Sequence, residues 1–307
     1  MTRLQEDKRL QINGVTIADT FAEAFPMVAT RLVVTADSMD WARIAASEMC
    51  GYATSVIACD CEAGIDTELS SAETPDGRPG IRVAVFAFNR KSLEQAMAGR
   101  VGQCVLTSPT TACFNGQPIA DSKMSISVGG QLRFFGDGFQ ISKKLADRRF
   151  WRIPVMDGEF VCEDRFGTTQ GIGGGNLLIC GSTPKSALQA ATKAVAAMHK
   201  IDGIALPFPG GIVRSGSKVG SQYRRLKAST NDAWCPTLRS QTKTELPEDV
   251  NGVYEIVIDG LDFERVQSAM RVGLHAACEV PGIALISAGN YGGELGKHHF
   301  HLRDLVS

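Results

Sequence analysis

The sequence has no long apolar run and no excess of charge of either sign. No uninterrupted apolar stretch of about 18 residues occurs, so we expect no membrane-spanning helix. Lys and Arg total 32 while Asp and Glu total 33, which gives a net charge of -1. The basic surface of a nucleic-acid-binding protein is therefore not expected either. Residues 1–11 are polar and lack the apolar segment of a signal peptide.

Common metal and nucleotide motifs are also missing. There is no Cys-x-x-Cys, His-Glu-x-x-His or Gly-x-Ser-x-Gly. Residues 211–219 (GIVRSGSKV) differ from a phosphate-binding loop by an extra Ser before the Lys and by a Val in place of the magnesium-binding hydroxyl. Residues 171–176 (GIGGGN) precede a predicted strand instead of following one, so no nicotinamide cofactor is indicated.

The nine cysteines are an odd number, so at least one thiol is free. Without an export signal, this predicts a cytoplasmic protein with reduced thiols. Cys59 and Cys61 could form half of a metal site, but two packed thiols are the favoured interpretation. His298, His299 and His301 cluster near the C-terminus without a matching Cys or His pair, so we predict no metal site there.

Glycine is abundant, with 32 residues in a chain of 307. Twenty of them lie from Trp151 onward, and they concentrate in residues 171–175, 210–211, 216–220 and 289–296. Glycine favours tight turns and close backbone approach. We expect these clusters to be loops near a substrate cleft.

The chain length of 307 residues is typical of about two domains. In the first half, the pattern predicts a hairpin around Asn13-Gly14, strands at 31–35, 54–58, 81–88 and 103–107, and helices at 41–49 and 92–98. In the second half it predicts strands at 176–180, 203–206, 252–258 and 282–287, and helices at 184–199 and 262–278. Each half thus carries two strand–helix–strand units.

This repeated order predicts an α+β fold with two ferredoxin-like lobes, each a four-stranded antiparallel sheet covered by helices. The division is placed between residues 1–155 and 156–307.

Glu255 is the most informative single residue because it lies in an otherwise apolar strand. On the inner face of a sheet, its carboxyl would have a raised pKa and could donate or accept a proton. Alternation along the strand also permits an outward-facing side chain. The pattern alone leaves both interpretations open. Arg214 and Lys218, in a Gly- and Ser-rich loop, could hold a carboxylate or phosphate, but the pattern alone favours an ordinary loop with solvated cations.

Several separate segments resemble one family, that of formylmethanofuran:tetrahydromethanopterin formyltransferase. They follow the family's order over residues 12–305, nearly the whole chain. The segments are 20–25 (TFAEAF), 73–80 (ETPDGRPG), 134–138 (FFGDG), 207–213 (PFPGGIV), 217–221 (SKVGS), 228–233 (ASTNDA), 235–237 (CPT) and 286–290 (ISAGN).

The resemblance implies an enzyme without a prosthetic group that moves a formyl group between N5 of tetrahydromethanopterin and the amine of methanofuran or an analogue. It also implies two ferredoxin-like lobes and a homotetramer. The balanced charge resembles a version from a methylotrophic bacterium, where the transferase belongs to a formyltransferase/hydrolase complex and formyl transfer runs from the pterin during formaldehyde oxidation. Two alternatives are a pterin-binding or scaffolding subunit with little activity alone, and a formylmethanofuran hydrolase, which the missing metal ligands disfavour.

The resemblance also implies roles for particular residues. The family's proposed catalytic acid falls at Glu255, which as a neutral acid could donate to the oxyanion of a tetrahedral intermediate. The positions implied to orient the formyl group or the pterin are Asn231, Asp232, Ser287 and Asn290. Those implied to meet the acidic tail of one substrate are Arg214, Ser215 and Lys218.

Overall fold

The computed structural model describes residues 10–216 and 218–307. The polar start of the chain, residues 1–9, and Ser217 of the Gly- and Ser-rich loop lie outside the described residues. The fold is mixed α+β, which confirms the predicted class at that level. None of the helices in the described part of the chain combines the length and apolar character needed to cross a membrane.

The helices of the described residues are α1 Met39–Cys50, α2 Arg90–Arg100, α3 Gly129–Leu132, α4 Pro184–Met198 and α5 Phe263–Ala277. The strands up to the middle of the chain are β1 Leu10–Ile12, β2 Val15–Ile17, β3 Phe21–Thr35, β4 Glu62–Leu69, β5 Gly80–Ala87, β6 Ala112–Asn115, β7 Ser125–Ser127, β8 Ile141–Leu145 and β9 Arg148–Val155. The later strands are β10 Gly158–Glu163, β11 Arg165–Gly167, β12 Thr169–Gly181, β13 Ile204–Ala205, β14 Lys218–Val219, β15 Ala228–Ser229, β16 Gly252–Gly260, β17 Ile283–Ser287 and β18 His298–His301.

A first unit is built on the order β3-α1-β4-β5-α2-β6. Its strands lie side by side as β4-β5-β3-β6, and all three neighbouring pairs are antiparallel. Helices α1 and α2 contribute Ala42, Met49, Leu93 and Met97 to a core shared with the buried side chains of one face of this sheet, such as Val83. The hairpins β8-β9 and β9-β10 extend the sheet beyond β6.

A second unit repeats the order as β12-α4-β13-β16-α5-β17. Its strands lie side by side as β13-β16-β12-β17, again all antiparallel. Helices α4 and α5 cover one face, where they pack on Leu177, Ile179, Ile256, Ile258 and Ile286. The opposite face of β12, β16 and β17 is not covered by these helices.

The two units are joined by strands as well as by side chains. Strand β12 pairs with β3 antiparallel through Gly173↔Phe25 to Thr169↔Ala29, so the sheets are continuous. The predicted hairpin around Asn13-Gly14 is confirmed, and its second strand lies beside β17 of the second unit. Strand β18 returns to pair with the start of β3. The predicted division at 155/156 falls in the turn between β9 and β10.

The four predicted helices are present as α1, α2, α4 and α5, although α1 and α2 each begin two residues earlier than predicted. Ser38 and Thr183 each accept a hydrogen bond from the backbone N–H three residues later, which satisfies a donor that the first turn leaves unpaired. Pro184 follows Thr183 at the first helical position. Asp262 caps α5 in the same way. These helix starts depend on local capping interactions that can be recognised in the sequence.

Two predicted strands are wrong. Residues 54–58 form turns in which the Ser55 carbonyl accepts from the N–H groups of Ala58 and Cys59, and β4 begins only at Glu62. Residues 103–107 lie in and after a π-helical turn that continues α2. Val101 and Val105 are both buried there, so their apolar spacing of four belongs to a helical turn and not to a strand.

The glycine cluster at 171–175 also differs from the expectation, because it lies inside β12 and not in a loop. A bulge between Ile172 and Gly175 shifts the register against β16. A Cβ at Gly173 would overlap the Met27 sulfur, and one at Gly175 would lie 2.5 Å from the Val266 side chain. Glycine is required here by close packing on both faces of the strand.

A buried ion-pair network ties the two units together at Asp66 of β4. The Asp66 side chain is fully buried and lies 2.8 Å from the Arg82 guanidinium and 3.6 Å from that of Arg31. It also accepts the N–H of Gly203, between α4 and β13, at 2.8 Å. Asp202 pairs with the same two arginines from the outer side.

We expect Asp66→Asn to lower the free energy of unfolding by about 3 kcal/mol, because it removes one partner of a buried pair and leaves two guanidinium groups without their central carboxylate. Chemical denaturation of the purified protein measures this. Glu68→Gln is the matched control, since the Glu68–Arg43 pair is exposed on both sides and solvent screening leaves it little effect on stability. Equal stability of the two variants would contradict the assigned role of Asp66.

Candidate functional site

The candidate site lies on the face of the second sheet that is turned away from α4 and α5. Ser287 of β17 and Glu255 of β16 both pair with Leu178 of the central strand β12. The three side chains therefore form one row on one face of the sheet. Their neighbours Leu177 and Ile256 point to the helices, so the row points the other way.

Glu255 is buried even though it faces away from the helices, with 6% of its surface exposed. The segment between β13 and β16 lies beside and over this part of the sheet. Val213 of this segment exchanges two backbone hydrogen bonds with Glu255, of 3.0 and 2.7 Å, and Leu246 and Val250 pack farther along the same face against Cys180. Glu255 therefore faces away from the helices and is nevertheless buried, an arrangement that neither interpretation left open by alternation described.

The segment that covers Glu255 carries most of the predicted substrate residues. Arg214 and Ser215 follow Val213 directly and are exposed. Thr230 donates its hydroxyl to the Ser215 carbonyl at 3.3 Å. A Cβ at Gly216 would lie 2.8 Å from the Asn231 Cβ. The chain segments around residues 215 and 231 are therefore in contact at the edge of the site.

Lys218 and Asp232 form an ion pair between the same two chain segments. The hydrogen bond from Lys218 lowers the pKa of the Asp232 carboxyl. Arg214 forms no ion pair with any residue in the described ranges. Of the two predicted cations, Arg214 is thus the one whose charge is not already matched within the loop.

Asn290 begins the loop that follows β17 and is tied to the start of β3. Its side-chain amide donates to the Thr20 hydroxyl at 3.0 Å and to the Phe21 carbonyl at 3.2 Å. Its side-chain oxygen accepts the N–H of Gly292 at 3.1 Å. The structure therefore places Asn290 close to the end of the Ser287 strand, with its polar atoms holding the loop.

The next residue, Tyr291, belongs to the site and was missed by the sequence reasoning. Its phenol oxygen accepts the backbone N–H of Val219. Burial, together with the nearby charges of Glu255 and Glu23, raises the pKa of Tyr291, so the phenol keeps its proton near neutral pH. The position of Tyr291 directly after the matched segment 286–290 could have indicated that it belongs to the site.

A second missed feature is a pair of buried carboxyl groups, Glu62 of β4 and Asp259 of β16. Glu62 accepts the N–H of Val56 at 2.9 Å, Asp259 accepts the N–H of Gly174 at 3.1 Å, and the two side chains are hydrogen-bonded to each other. Burial raises the pKa of both groups, and Glu62 further raises that of Asp259. At neutral pH such a pair shares a proton. Asp259 lies four residues from Glu255 on the same strand.

The thiols and histidines that could have suggested a metal site are packed separately. Cys61 is buried, and burial raises its pKa to about 12. His299 stacks near Phe21, and His298 lies near Phe263. Within residues 10–216 and 218–307, no three His, Cys, Asp or Glu side chains are grouped as metal ligands.

Comparison with known proteins matches both halves of the chain. Residues 10–155 match the family described as formylmethanofuran-tetrahydromethanopterin formyltransferase, and residues 158–305 match the one described as its proximal lobe. The chain belongs to the formylmethanofuran–tetrahydromethanopterin formyltransferase family. The resemblance drawn from the sequence motifs is therefore confirmed.

Individual relatives span almost the full chain. The formylmethanofuran–tetrahydromethanopterin formyltransferase of Methylococcus capsulatus is 56% identical over 299 residues, which is 96% of this chain and 99% of the relative. One subunit of the formyltransferase/hydrolase complex of Methylorubrum extorquens is 52% identical over 304 residues, or 96% and 97% of the two chains. A crystal structure of that organism's complex with methylofuran contains a chain that is 51% identical with a TM-score of 0.94, covering 98% of this chain and 99% of that one.

In this formyltransferase-family chain, the predicted site residues lie in three places. Glu255 and Ser287 share one row of the sheet, and the loop residues Arg214, Ser215, Lys218, Asn231 and Asp232 lie along the segment that covers that row. Asn290 lies at the adjoining loop, where it has a structural role. Their contributions to binding and catalysis stay predictions.

We expect Asp259→Asn to weaken the dependence of stability on pH. The folded protein holds the proton of Asp259 at pH values where the unfolded chain releases it, so folding binds a proton and stability falls as pH rises above the usual Asp range. Replacing the carboxyl by an amide removes this contribution. Melting temperatures measured between pH 5 and 8 should therefore fall less steeply in the variant.

The control is Asp249→Asn, an exposed carboxyl on a surface connection, which should keep the wild-type slope. Identical slopes in all three proteins would mean that Asp259 is ionised at these pH values and that no proton is shared.

Proposed function

We propose that this chain transfers a formyl group between N5 of tetrahydromethanopterin and the amine of methanofuran or an analogue. Two relatives named for this reaction match 96% of the chain at 56% and 54% identity. The observation that carries the proposal for this chain's own chemistry is Glu255, a buried carboxyl on the face of the sheet away from the helices, whose backbone pairs with Val213 directly before the polar loop.

The transfer requires no covalent intermediate with the protein. The acceptor amine attacks the formyl carbon, and a tetrahedral intermediate forms with negative charge on the former carbonyl oxygen. The intermediate collapses with loss of the donor amine. Glu255, as a neutral acid, would donate a hydrogen bond to the oxyanion and give its proton to the leaving nitrogen. The carboxylate so formed would take up the proton that the attacking amine loses, which restores the neutral acid. Glu255 and its neighbour Leu178 are both buried, which keeps bulk water away from the carboxyl.

Substrate binding is assigned to the surrounding loops. Arg214, Ser215 and Lys218 would meet the acidic tail of one substrate, with Arg214 supplying the charge because Lys218 is paired with Asp232. Ser287 lies in the same row as Glu255 and would orient the formyl group. Asn231, Asp232 and Asn290 would shape the pterin side, Asn290 by holding its loop.

The wider assembly is part of the proposal. The repeated strand order supports two ferredoxin-like lobes, residues 1–155 and 156–307, with the N-terminal hairpin and β18 crossing between them. We further propose a homotetramer that can associate with formyltransferase/hydrolase complex subunits, because the Methylorubrum extorquens relative is named as a subunit of such a complex. The nine free thiols support a cytoplasmic location. The enzyme would need its two substrates and no prosthetic group.

We expect Glu255→Gln to reduce kcat for formyl transfer by about 100-fold or more, since an amide can still occupy the space but cannot supply the proton or the acidic donor. The assay uses the purified chain with both substrates in each direction, and native mass spectrometry of the same sample reports the assembly. Circular dichroism checks that the variant is folded.

Glu248→Gln is the control. Glu248 is exposed on the connection between β13 and β16, so this variant should leave kcat unchanged. Near-normal turnover of folded Glu255→Gln would refute the assigned role. An inactive wild-type chain that gains activity only with complex subunits would favour the scaffolding alternative instead.

For Arg214→Ala we expect KM for the acidic-tailed substrate to rise roughly five-fold with little change in kcat, because a cation that meets the tail contributes equally to the ground state and the transition state. Raising the salt concentration should reduce this difference through screening. Lys200→Ala, at an exposed position between α4 and β13, serves as the charge-matched control. A KM unchanged by Arg214→Ala would remove this residue from the site.

A further inference from the structure

A buried carboxylate, Glu23 of β3, is the anchor of the loop that follows β17. Only 1% of Glu23 is exposed. One of its oxygens accepts the N–H groups of Tyr291 at 2.6 Å and Gly293 at 3.0 Å, and the other accepts those of Leu295 at 2.6 Å and Gly296. Burial opposes the charge, but the four hydrogen bonds outweigh it and lower the pKa of Glu23. Four donors on one buried carboxylate form a strongly ordered centre.

The backbone of this loop is shaped to wrap around Glu23. Gly292 and Gly293 both have left-handed φ angles, of 76° and 79°, a conformation that side chains disfavour. A Cβ at Gly296 would lie 2.5 Å from the Ala24 carbonyl oxygen. The Glu23 carboxylate therefore gathers the N–H groups of a turn that only these glycines permit.

The side chain that this arrangement presents to the site is Tyr291. Its N–H is bound to Glu23, its ring lies 6.4 Å from that of Phe25, and its phenol oxygen accepts the N–H of Val219. Tyr291 follows Ser287, which shares the sheet row of Glu255, by four residues, and the charge of Glu255 acts on its phenol. The phenol is thus fixed from both sides close to Glu255.

We infer that Tyr291 is a second hydrogen-bond donor of the reaction site, directed to the formyl oxygen beside Glu255, and that Glu23 is its positioning residue. This inference rests on the proposed formyl transfer. The N–H of Val219 fixes the position of the phenol oxygen, and a phenol that keeps its proton is a hydrogen-bond donor. A second donor would share the oxyanion charge with Glu255, and Glu23 would act only through the loop, without touching the substrate.

The kinetic test is a double-mutant cycle on the purified enzyme. Tyr291→Phe should lower kcat by at least about ten-fold, with KM changed by less than about three-fold, because the donor acts mainly in the transition state. Glu23→Gln should produce a similar loss, and the double variant should lose no more than Glu23→Gln alone. Tyr52→Phe, at an exposed position after α1, is the control with unchanged kcat.

A titration tests the geometry without any use of activity. With tyrosine carrying a carbon-13 label on the ring, the Tyr291 resonance is identified by its loss in Tyr291→Phe, since the chain has only four tyrosines. Its pKa should lie above those of exposed tyrosines. In the alkaline range where tyrosines titrate, Glu255 would have lost the proton that the reaction uses near neutral pH, so Glu255→Gln should lower the Tyr291 pKa by removing that negative charge. This measurement stays informative even where Glu23→Gln does not fold.

The outcomes separate the two proposals. Full activity of Tyr291→Phe in an active wild-type background overturns this inference and leaves formyl transfer in place. A Tyr291 pKa that is insensitive to Glu255→Gln overturns the assigned proximity. Strictly additive losses in the double variant remove Glu23 as a positioning residue for Tyr291. An inactive wild-type enzyme overturns the proposed function itself, even where the titration behaves as expected.

Discussion

The pairing of β12 with three other strands is the constraint on which the rest of the molecule depends. Its first half pairs with β3 of the first unit, and its second half lies between β16 and β17. This one strand joins the two sheets and also sets the row that contains Glu255 and Ser287. The close fit on both sides is possible because Gly173 and Gly175 have no side chain to displace Met27 or Val266.

Around this strand, buried carboxyl groups are used in three different ways. Asp66 is paired with arginines and ties the units together. Glu23 remains charged because backbone N–H groups outweigh its burial. Asp259 lies against another carboxyl, Glu62, so its pKa rises instead. A buried carboxyl group thus forms a structural ion pair, anchors a loop or shares a proton. The groups that contact it determine which of these roles it has.

Much of the architecture could be predicted because its signals are local. The caps at Thr183 and Asp262 and the Asn13-Gly14 hairpin depend on neighbours within a few residues. The strands predicted at 54–58 and 103–107 failed because turn hydrogen bonds and a continued helix used the same apolar residues differently. The motifs also led to the correct family, and they drew attention to Glu255 as a carboxyl in an apolar strand.

By itself, the sequence determined the family, the α+β class and the short-range elements, since these depend on side-chain chemistry and on spacings within a few residues. Only the tertiary structure decided that Glu255 is buried on the face away from the helices, because the chain that pairs with its backbone, at Val213, lies roughly 40 residues earlier. The same holds for Glu23, whose four donors come from a loop about 270 residues later. Contacts over such separations leave no periodic trace, because they are set by how strands from both ends of the chain meet beside β12 and β17.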